Sequence, residues 1–153
     1  MRVLFVCYGN TCRSPLAEGV FRDKLTGVGL AGRVAVDSAG THAADPGGAP
    51  HPLSVRVAAK YGLDIGDLRG RRFGPADFDR FDRIVVLDRA NRRDVLGQAR
   101  HEHDRAKVRL LRDADGEVAD PIFGGDEDYE RAYAQIDEAC ERLLAEVRAE
   151  LGA

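Results

Sequence analysis

The chain has 153 residues, of which 44% are hydrophobic and 32% are charged, enough for one domain with a buried core. Its formal net charge of -3 argues against nucleic acid as the main partner, because the basic residues alternate with acids along the chain. No apolar run is long enough to cross a bilayer and the N-terminus does not resemble a signal peptide, so we expect a cytoplasmic protein with no membrane partner.

Short β-branched segments alternate with helical segments, and the chain is predicted to form a single domain over residues 1–153. In chain order, the predicted elements are a strand at 2–7, a helix at 15–28, a strand at 33–38, a helix at 52–61, a strand at 83–88, a helix near 89–97, a strand at 106–111 and a helix at 126–151. This alternation favours an α/β fold with a mostly parallel, doubly wound sheet.

The first strand ends at Cys7, and the loop that follows it has the sequence VCYGNTCRSPLAEG. Ligands of parallel α/β sheets bind beyond the carboxyl ends of the strands, so a site is expected here first. Gly9 and Asn10 tolerate positive φ values, and Ser14 followed by Pro15 is typical of the start of a helix. Such a loop can point successive backbone N–H groups at an anion, with the positive end of a helix behind them. The sequence therefore predicts a phosphate cradle.

Two side chains would give this cradle its chemistry. The planar guanidinium of Arg13 can hold two phosphate oxygens, while the loop amides favour the thiolate form of Cys7. The chain's three cysteines are too few for a disulfide framework, so free thiols in a reducing compartment are expected. A thiolate beside a bound phosphoryl group suggests attack of sulfur on phosphorus, giving a phosphocysteine that water then hydrolyses.

Four segments follow one another along the chain: VCYGNTCRSPLAEG, DSAGT, VLDRAN and DPIFGGDEDYERAYAQIDEACERLL. Together they resemble the low-molecular-weight protein tyrosine phosphatase family, which is related to protein-arginine phosphatases and thioredoxin-coupled arsenate reductases. The resemblance covers essentially the whole chain, and its first and last segments are highly specific in combination. It implies a single three-layer α/β domain, with a four-stranded parallel sheet in the order 2-1-3-4 and helices on both faces.

The resemblance also implies a role for each residue of the loop. Cys7 would be the nucleophile, and Arg13 would bind the phosphoryl oxygens in the ground and transition states. Ser14 would donate a hydrogen bond to the thiolate, while Asn10, in a left-handed conformation, would brace the loop with help from Ser38. The phosphate would be bound by Tyr8, Gly9, Asn10, Thr11, Cys12, Arg13 and Ser14.

Two further residues are assigned by the same resemblance. Asp88, in an Asp-x-x-Asn segment with Asn91, would support the site from behind. Cys12 matches a cysteine that in the family can form a reversible disulfide with the nucleophile, so Cys7 and Cys12 form a candidate redox pair.

The leaving oxygen of a phosphate ester needs a proton, and two Asp-Pro dipeptides could supply it, Asp45-Pro46 and Asp120-Pro121. The first is followed by two glycines and is more simply the start of a turn. The family places its general acid just before the final helix, which selects Asp120. The same carboxylate would then activate the water that attacks the phosphocysteine.

The resemblance places the substrate pocket at Tyr8, Thr11, Ala44, Ile122 and Phe123. Many family members have aromatic residues at the last three of these positions, whereas this chain has only Phe123. Threonine at position 11 is typical of the related protein-arginine phosphatases, but the long DPIFGGD segment is more similar to the tyrosine branch. The sequence therefore indicates a phosphatase acting on phosphotyrosine in a protein or peptide, with protein-arginine phosphatase as the alternative.

Two other functions fit the loop less well. Thioredoxin-coupled arsenate reductases need two more redox cysteines after the third strand, and residues 88–120 contain none. A non-catalytic phosphate-binding module would need neither a thiolate nor Asp120.

The remaining polar clusters predict no metal and no cofactor. Two histidines in the HEHD stretch at 101–104 are expected to be solvated, and Cys140 falls on the apolar stripe of the last helix, where it is expected to be buried. Tyr129 and Tyr133 lie where tyrosines of the family can be phosphorylated, although packing is the simpler interpretation for at least one of them. We expect a monomer with at most weak self-association.

Overall fold

A four-stranded parallel sheet forms the centre of the fold in the computed structural model. The structure describes the backbone of residues 1–153 and every side chain except that of Ala114. The strands are β1 (Arg2–Cys7), β2 (Ala35–Gly40), β3 (Arg83–Val86) and β4 (Val108–Leu110). They lie in the order β2-β1-β3-β4, and every neighbouring pair is parallel. The predicted fold class and strand order are confirmed.

Helices cover both faces of the sheet. They are α1 (Arg13–Gly27), α2 (Pro52–Lys60), α3 (Asp77–Arg80), α4 (Arg89–Leu96), α5 (Glu102–Arg105) and α6 (Asp126–Leu151), with a 3-10 turn at Asp113–Asp115. Val3, Phe5 and Cys7 of β1 belong to a core that includes residues of α1, α2 and α6. Leu4 and Val6, on the opposite face, belong to a second core that includes residues of α3 and α4. Among the described residues, no helix is long and apolar enough to span a membrane.

Helix α1 begins at Arg13, two residues before the predicted start at Pro15. Ser14 is not the N-cap, because its hydroxyl makes its hydrogen bonds within the preceding loop. Cys12 occupies the N-cap position without a side-chain cap. Pro15 is tolerated at the third helical position because the first N–H groups of a helix have no intrahelical partner. The side chains at the start of α1 therefore remain available to the loop.

Other boundaries also differ from the sequence prediction. β2 lies two residues later than expected, because it pairs along the whole of β1 and places Gly40 beside Cys7. β3 ends at Val86, since Asp88 caps α4 instead of extending the strand. α3 and α5 were not predicted, because helices of four residues are too short to show a helical period.

Gly40, at the end of β2, allows the loop after β1 to lie directly against the sheet. A Cβ atom added at Gly40 would lie 2.8 Å from backbone atoms of Tyr8, Gly9 and Asn10. All of these neighbours are main-chain atoms, so a side chain could be accommodated only by moving the loop. The position of the loop therefore depends on the absence of a side chain at Gly40.

We expect Gly40→Ala to lower the free energy of unfolding by about 1–3 kcal/mol, because the added methyl group overlaps the backbone of the loop. Gly27→Ala is the matched control, since a Cβ atom there meets nothing within 4 Å. Alanine is also the better helix former, so this control should be neutral or slightly stabilising. Urea unfolding of both variants measures the difference. Unchanged stability of Gly40→Ala would contradict the close approach.

Candidate active site

Residues 8–12 form the loop that joins β1 to α1 at the carboxyl edge of the sheet, with Cys7 at the end of β1 and Arg13 and Ser14 at the start of α1. Asn10 adopts a φ angle of 55°, in the left-handed region. Its Oδ1 accepts a hydrogen bond from the backbone N–H of Arg71 at 2.9 Å. Its Nδ2 donates to the hydroxyls of Ser14 at 2.8 Å and Ser38 at 3.0 Å. Because these partners lie on α1, on β2 and in the segment before α3, the turn is held from three directions.

Several carbonyl groups of the loop are turned outward to partners in neighbouring segments. The bonds run from Thr41 N–H to Cys7 O (2.9 Å), from His42 N–H to Tyr8 O (2.8 Å), from His51 N–H to Thr11 O (2.8 Å) and from the Ser54 hydroxyl to Cys12 O (3.0 Å). The C=O and N–H groups of a trans peptide point in opposite directions, so the N–H groups of residues 8, 9, 12 and 13 face the other way, into the loop. In the described part of the chain, no acceptor takes the N–H of Gly9 or Cys12. These groups are available to an anion.

Cys7 lies at the floor of the loop and is 2% exposed. Its Sγ is 3.0 Å from Ser14 Oγ, which also receives the Asn10 amide hydrogen. The single hydroxyl hydrogen of Ser14 can go to this sulfur or to the carbonyl of Ala39, 3.3 Å away. A thiolate can only accept, so a deprotonated Cys7 would receive that hydrogen. The geometry can therefore stabilise a thiolate at Cys7.

The buried guanidinium of Arg13 has some N–H donors bonded to protein groups and others left for a ligand. Nη1 donates to Asp88 Oδ2 at 2.7 Å and to the carbonyl of Val118 at 2.9 Å. Nη2 lies 3.4 Å from Asp120 Oδ2, and Nε has no hydrogen-bond partner among the described residues. Burial disfavours the charged form, but Cys7, Asp88 and Asp120 outweigh burial and raise the pKa of Arg13. Nε and Nη2 therefore form a permanently charged fork that can bind two oxygens of an anion.

Asp88 positions Arg13 and caps α4 at the same time. Its Oδ1 accepts the backbone N–H of Asn91 at 2.7 Å, while Asn91 Oδ1 accepts the backbone N–H of Asp88 at 3.2 Å. This reciprocal pair is a capping box. Since Oδ1 is committed to the helix and Oδ2 to the guanidinium, rotation of the carboxylate would break both contacts.

Asp120 faces Arg13 from the segment before α6. Its Oδ1 accepts the backbone N–H of Ile122 at 3.2 Å, and its Oδ2 points to Arg13. The side chain is 35% exposed, which leaves space beside it for a substrate oxygen or a water molecule. Asp45, in the other Asp-Pro dipeptide, is exposed and does not line the pocket above the loop. The structure therefore brings Asp120, and not Asp45, to Cys7 and Arg13.

A pocket of about 450 Å³ opens above the loop. Its lining includes Tyr8 and Thr11 of the loop, together with Asp120, Ile122 and Phe123 of the segment before α6. Tyr8 is half-exposed and Phe123 is 100% exposed, so two aromatic rings stand at the mouth of the pocket. These rings offer apolar surface to an aromatic group, while the floor offers N–H groups and a guanidinium to an anion.

Ala44, the remaining residue of the predicted substrate pocket, does not line this cavity. Ala44 is exposed and is not among the lining residues. His42 is not among the lining residues either, but its ring stacks on Tyr8, which is, with 4.6 Å between centroids and 16° between planes. Thr41 Oγ1 holds this histidine through a contact of 2.9 Å to Nδ1. No linear pattern indicated His42, because the stacking depends on how the loop after β2 folds back over the loop after β1.

Cys12 is buried behind the loop, with its Sγ 3.3 Å from the hydroxyl of Tyr129. Burial raises the pKa of the Cys12 thiol and outweighs the opposite effect of this hydrogen bond. Burial and the contact with Cys12 also raise the pKa of Tyr129. Cys7 and Cys12 are both free thiols in this structure.

The two tyrosines of α6 have different environments. Tyr129 is 1% exposed and stacks on His51, with ring centroids 5.3 Å apart, so it has a packing role. Tyr133 is partly exposed and stacks on Tyr61, with centroids 4.1 Å apart. A modifying enzyme could reach Tyr129 only after the start of α6 opened.

The remaining sequence candidates lie away from the pocket. Cys140 is fully buried in the core on α6, as predicted, and burial raises the pKa of its thiol. His101 and His103 are exposed, and His101 caps α5 by accepting the Asp104 N–H at 3.4 Å. Within the part of the chain that the structure describes, no group of three or more His, Cys, Asp or Glu residues could hold a metal ion.

Known proteins resemble this chain over nearly its whole length. The family model described as low molecular weight phosphotyrosine protein phosphatase matches residues 2–153. A low molecular weight protein-tyrosine-phosphatase of Streptomyces coelicolor is 41% identical, over 96% of this chain and 93% of that protein. A low molecular weight phosphotyrosine protein phosphatase of Sus scrofa is 34% identical, over 95% of each chain.

Two solved structures have the same fold as this chain. YfkJ from Bacillus subtilis has a TM-score of 0.91 and 32% identity, covering 98% of this chain and 96% of its own. The YwlE arginine phosphatase has a TM-score of 0.88 and 26% identity, covering 97% of this chain and 96% of its own. The same fold is therefore found in phosphatases described as acting on different phosphorylated residues.

We expect Asp88→Asn to weaken binding of inorganic phosphate by about 10-fold or more, because one charge-assisted hydrogen bond to Arg13 is lost. The new amide can still cap α4 through its oxygen, which leaves its NH2 group facing the Nη1 donors. Asp137→Asn is the matched control, since it changes the same charge at a half-exposed carboxylate that pairs with Lys24 on another part of the molecule.

Isothermal titration with inorganic phosphate measures both affinities. Equal affinity of Asp88→Asn and Asp137→Asn would show that Asp88 does not position the guanidinium.

Proposed function

Because this chain belongs to the low-molecular-weight protein tyrosine phosphatase family, whose members are hydrolases acting on phosphotyrosine, we propose that residues 1–153 form one phosphatase domain for phosphotyrosine in proteins or peptides. The observation that carries this proposal is the fork of Arg13. Its Nε and Nη2 donors are buried without a full protein partner, in the same loop as the Cys7 sulfur. A buried charged donor of this kind calls for an anionic ligand.

In the first step, the Cys7 thiolate attacks the phosphorus of the bound ester. An S–P bond forms as the P–O bond to the tyrosine oxygen breaks, and the leaving oxygen takes a proton from Asp120. The inward N–H groups of the loop and the Arg13 fork bind the non-bridging oxygens throughout. The products are the dephosphorylated tyrosine residue of the substrate and phosphocysteine, and Asp120 is left as a carboxylate.

In the second step, water attacks the phosphocysteine. The Asp120 carboxylate accepts a proton from this water as the new P–O bond forms and the S–P bond breaks. The sulfur leaves as a thiolate, which the Ser14 hydroxyl stabilises at 3.0 Å. Inorganic phosphate then departs, and the protonated Asp120 is ready for the next ester.

The pocket favours a flat aromatic leaving group. Tyr8 and Phe123 both stand at its mouth, and Ile122 adds an apolar contact. The stacked ring of His42 limits the freedom of Tyr8. A phosphotyrosine ring would lie between these side chains, whereas phosphoserine is too short to fill the same volume.

Phosphoarginine is the second candidate substrate. Thr11 lines the pocket, where its hydroxyl could accept a hydrogen bond from a substrate guanidinium. The fold similarity to the YwlE arginine phosphatase supports this alternative, although the identity of 26% is lower than for the tyrosine phosphatase relatives. Turnover of matched phosphotyrosine and phosphoarginine peptides separates the two, and a strong preference for phosphoarginine would overturn the first choice.

We also propose that the enzyme acts as a cytoplasmic monomer. Every side chain placed in the mechanism comes from one copy of the chain, and the three free cysteines suit a reducing compartment. Cys12, in the same loop as Cys7, would serve as the partner for reversible oxidation of the nucleophile.

We expect Cys7→Ser to abolish turnover of a phosphotyrosine peptide while inorganic phosphate still binds, because the loop and Arg13 remain. A protein that only binds phosphate would have no turnover to lose, so steady-state kinetics combined with calorimetric titration distinguishes the two functions. Full activity of Cys7→Ser would reject the mechanism.

We expect Asp120→Asn to lower kcat for phosphotyrosine by about 10²–10⁴-fold, because the leaving oxygen loses its proton donor. The loss should be smaller for p-nitrophenyl phosphate, whose leaving group needs less protonation. Asp45→Asn, in the other Asp-Pro dipeptide, is the matched control and should retain activity. An equal loss on both substrates would show that Asp120 is not the acid.

A further inference from the structure

A chain of hydrogen bonds leads from the Cys7 sulfur to a buried carboxylate that the mechanism does not use. Ser14 and Asn10 continue from the sulfur to Ser38, whose hydroxyl donates to Glu18 Oε1 at 2.7 Å. Glu18 lies on α1 and is 4% exposed. This chain of hydrogen bonds therefore connects the Cys7 sulfur at the floor of the loop to the buried Glu18 carboxylate of α1 through the side chains of Ser14, Asn10 and Ser38.

Arg22 ends this chain at the surface. Its Nη2 lies 2.5 Å from Glu18 Oε2, one helical turn away, and also donates to the carbonyl of Val36 at 2.7 Å. The Arg22 side chain is 46% exposed, whereas that of Glu18 is 5% exposed. A buried carboxylate without such a partner would be strongly destabilising, so Arg22 balances the charge that Glu18 places beneath the loop.

The Glu18 carboxylate at one end and the Arg71 backbone N–H beside Asn10 together fix the directions of the hydrogen bonds in this chain. A carboxylate only accepts, so Ser38 must donate its hydroxyl hydrogen to Glu18. The Ser38 oxygen is then left to accept from Asn10, whose NH2 group faces both serines. Ser14 in turn receives the second Asn10 hydrogen, so its own hydrogen points away from Asn10, towards the Cys7 sulfur or the Ala39 carbonyl. In a network of this kind, each hydrogen bond polarises its neighbours and strengthens them.

We propose that Glu18, balanced by Arg22, is a positioning residue: by taking the Ser38 hydrogen it leaves the Ser38 oxygen to hold Asn10 and, together with the Arg71 N–H, it presents the Ser14 hydrogen to the Cys7 thiolate. The proposal deepens the proposed function, because it concerns the nucleophile of that reaction. Glu18 touches neither substrate nor sulfur and acts only through Ser38, Asn10 and Ser14.

Other charged groups lie near the two ends of this hydrogen-bond chain, and a test of the proposal must leave them unchanged. Around the sulfur these are Arg13 of α1, Asp120 of the segment before α6, and Asp88 at the start of α4 through its contact with Arg13. Cys12 is the neighbouring thiol. Arg71, whose backbone holds Asn10, has its own side chain paired with Asp37 and Asp77. A variant at Glu18 leaves each of these in place.

Replacement of Glu18 by glutamine reverses the hydrogen bond between this residue and Ser38 while keeping the shape of the side chain. The Arg22 guanidinium has only donors, so the oxygen of the new amide faces Arg22 and its NH2 group faces Ser38. Ser38 then receives two N–H groups, one from each side. The Ser38 oxygen can accept both, but its own hydroxyl hydrogen then loses the carboxylate that accepted it. Because the two amides now compete for one oxygen, Ser38 holds Asn10 less firmly, and Ser14 is less firmly oriented towards the sulfur.

The test measures thiolate formation directly, as the rate of Cys7 alkylation by iodoacetamide against pH. Residues 3–13 form one tryptic peptide, and fragmentation of this peptide distinguishes alkylation at Cys7 from alkylation at Cys12. Glu18→Gln is expected to move the midpoint of the Cys7 profile upward by about 1 pH unit, the effect of one hydrogen bond to a charged group. The acidic limb of kcat/KM for a phosphotyrosine peptide is expected to move with it.

Glu138→Gln is the matched control. Glu138 forms the same i,i+4 pair with Arg142 on the exposed side of α6, so this variant has the same charge change away from the loop. Its profile should coincide with that of the unmodified protein.

The double variant Glu18→Leu and Arg22→Leu tests whether any effect is only a loss of stability. Replacement of a buried ion pair by two apolar residues can preserve stability, but it removes the carboxylate that ends the series of hydrogen bonds. A stable double variant with a raised alkylation midpoint supports the proposal. An unmoved midpoint in a folded Glu18→Gln protein, or in the double variant, overturns it. Since alkylation needs no phosphatase turnover, this result stands apart from failure of the proposed function.

Discussion

The outward rotation of the peptide groups between β1 and α1 is the constraint on which the rest of the site depends. Thr41, His42, His51 and Ser54 take the carbonyl oxygens of this loop, and the opposite N–H groups are thereby directed at a common centre. An exposed loop could not hold these dipoles in place at a low energetic cost. Here the loop lies against Gly40 at main-chain contact distance, so the sheet itself defines its position.

Charge is distributed around this loop in an ordered way. Arg13 lies in the interior with Asp88 on one side, and this acidic partner stabilises a cation that burial alone would disfavour. Asp120 lies opposite on a more exposed segment, where it can exchange a proton with substrate and solvent. Glu18 and Arg22 form a third charged group behind the loop. In the proposed mechanism, anion binding, proton transfer and orientation of the nucleophile are therefore carried by different side chains.

Local sequence patterns predicted the parts of the fold that depend on periodicity and turn chemistry. The strand ending at Cys7 and the long apolar stripe of α6 both form where they were expected, and the strand order implied by the family resemblance is present. The start of α1 was misplaced because Ser14 followed by Pro15 is typical of an N-cap, whereas the hydroxyl of Ser14 is committed to Cys7 and Asn10. Tertiary hydrogen bonds overrode the local preference.

Residues brought together by tertiary folding were harder to predict. His42 reaches Tyr8 through ring stacking, and Glu18 reaches Ser38 across the space between α1 and β2. Neither contact has a fixed sequence spacing. Ala44 was assigned to the pocket by position along the chain, but it does not line the cavity, whereas His42, two residues earlier, packs on Tyr8. A motif thus identifies the reacting groups more readily than the side chains that orient them.

The central claim is that phosphate is transferred to sulfur before it reaches water. The most direct measurement is mass spectrometry of acid-quenched enzyme during turnover of a phosphotyrosine peptide, with the phosphorylated residue identified by fragmentation. The account predicts a transient phosphoryl group on Cys7, which accumulates further in Asp120→Asn with a substrate whose leaving group needs no proton, because water then lacks its base. Turnover with no phosphoryl group on Cys7 at any time, or with one on another side chain, would contradict it.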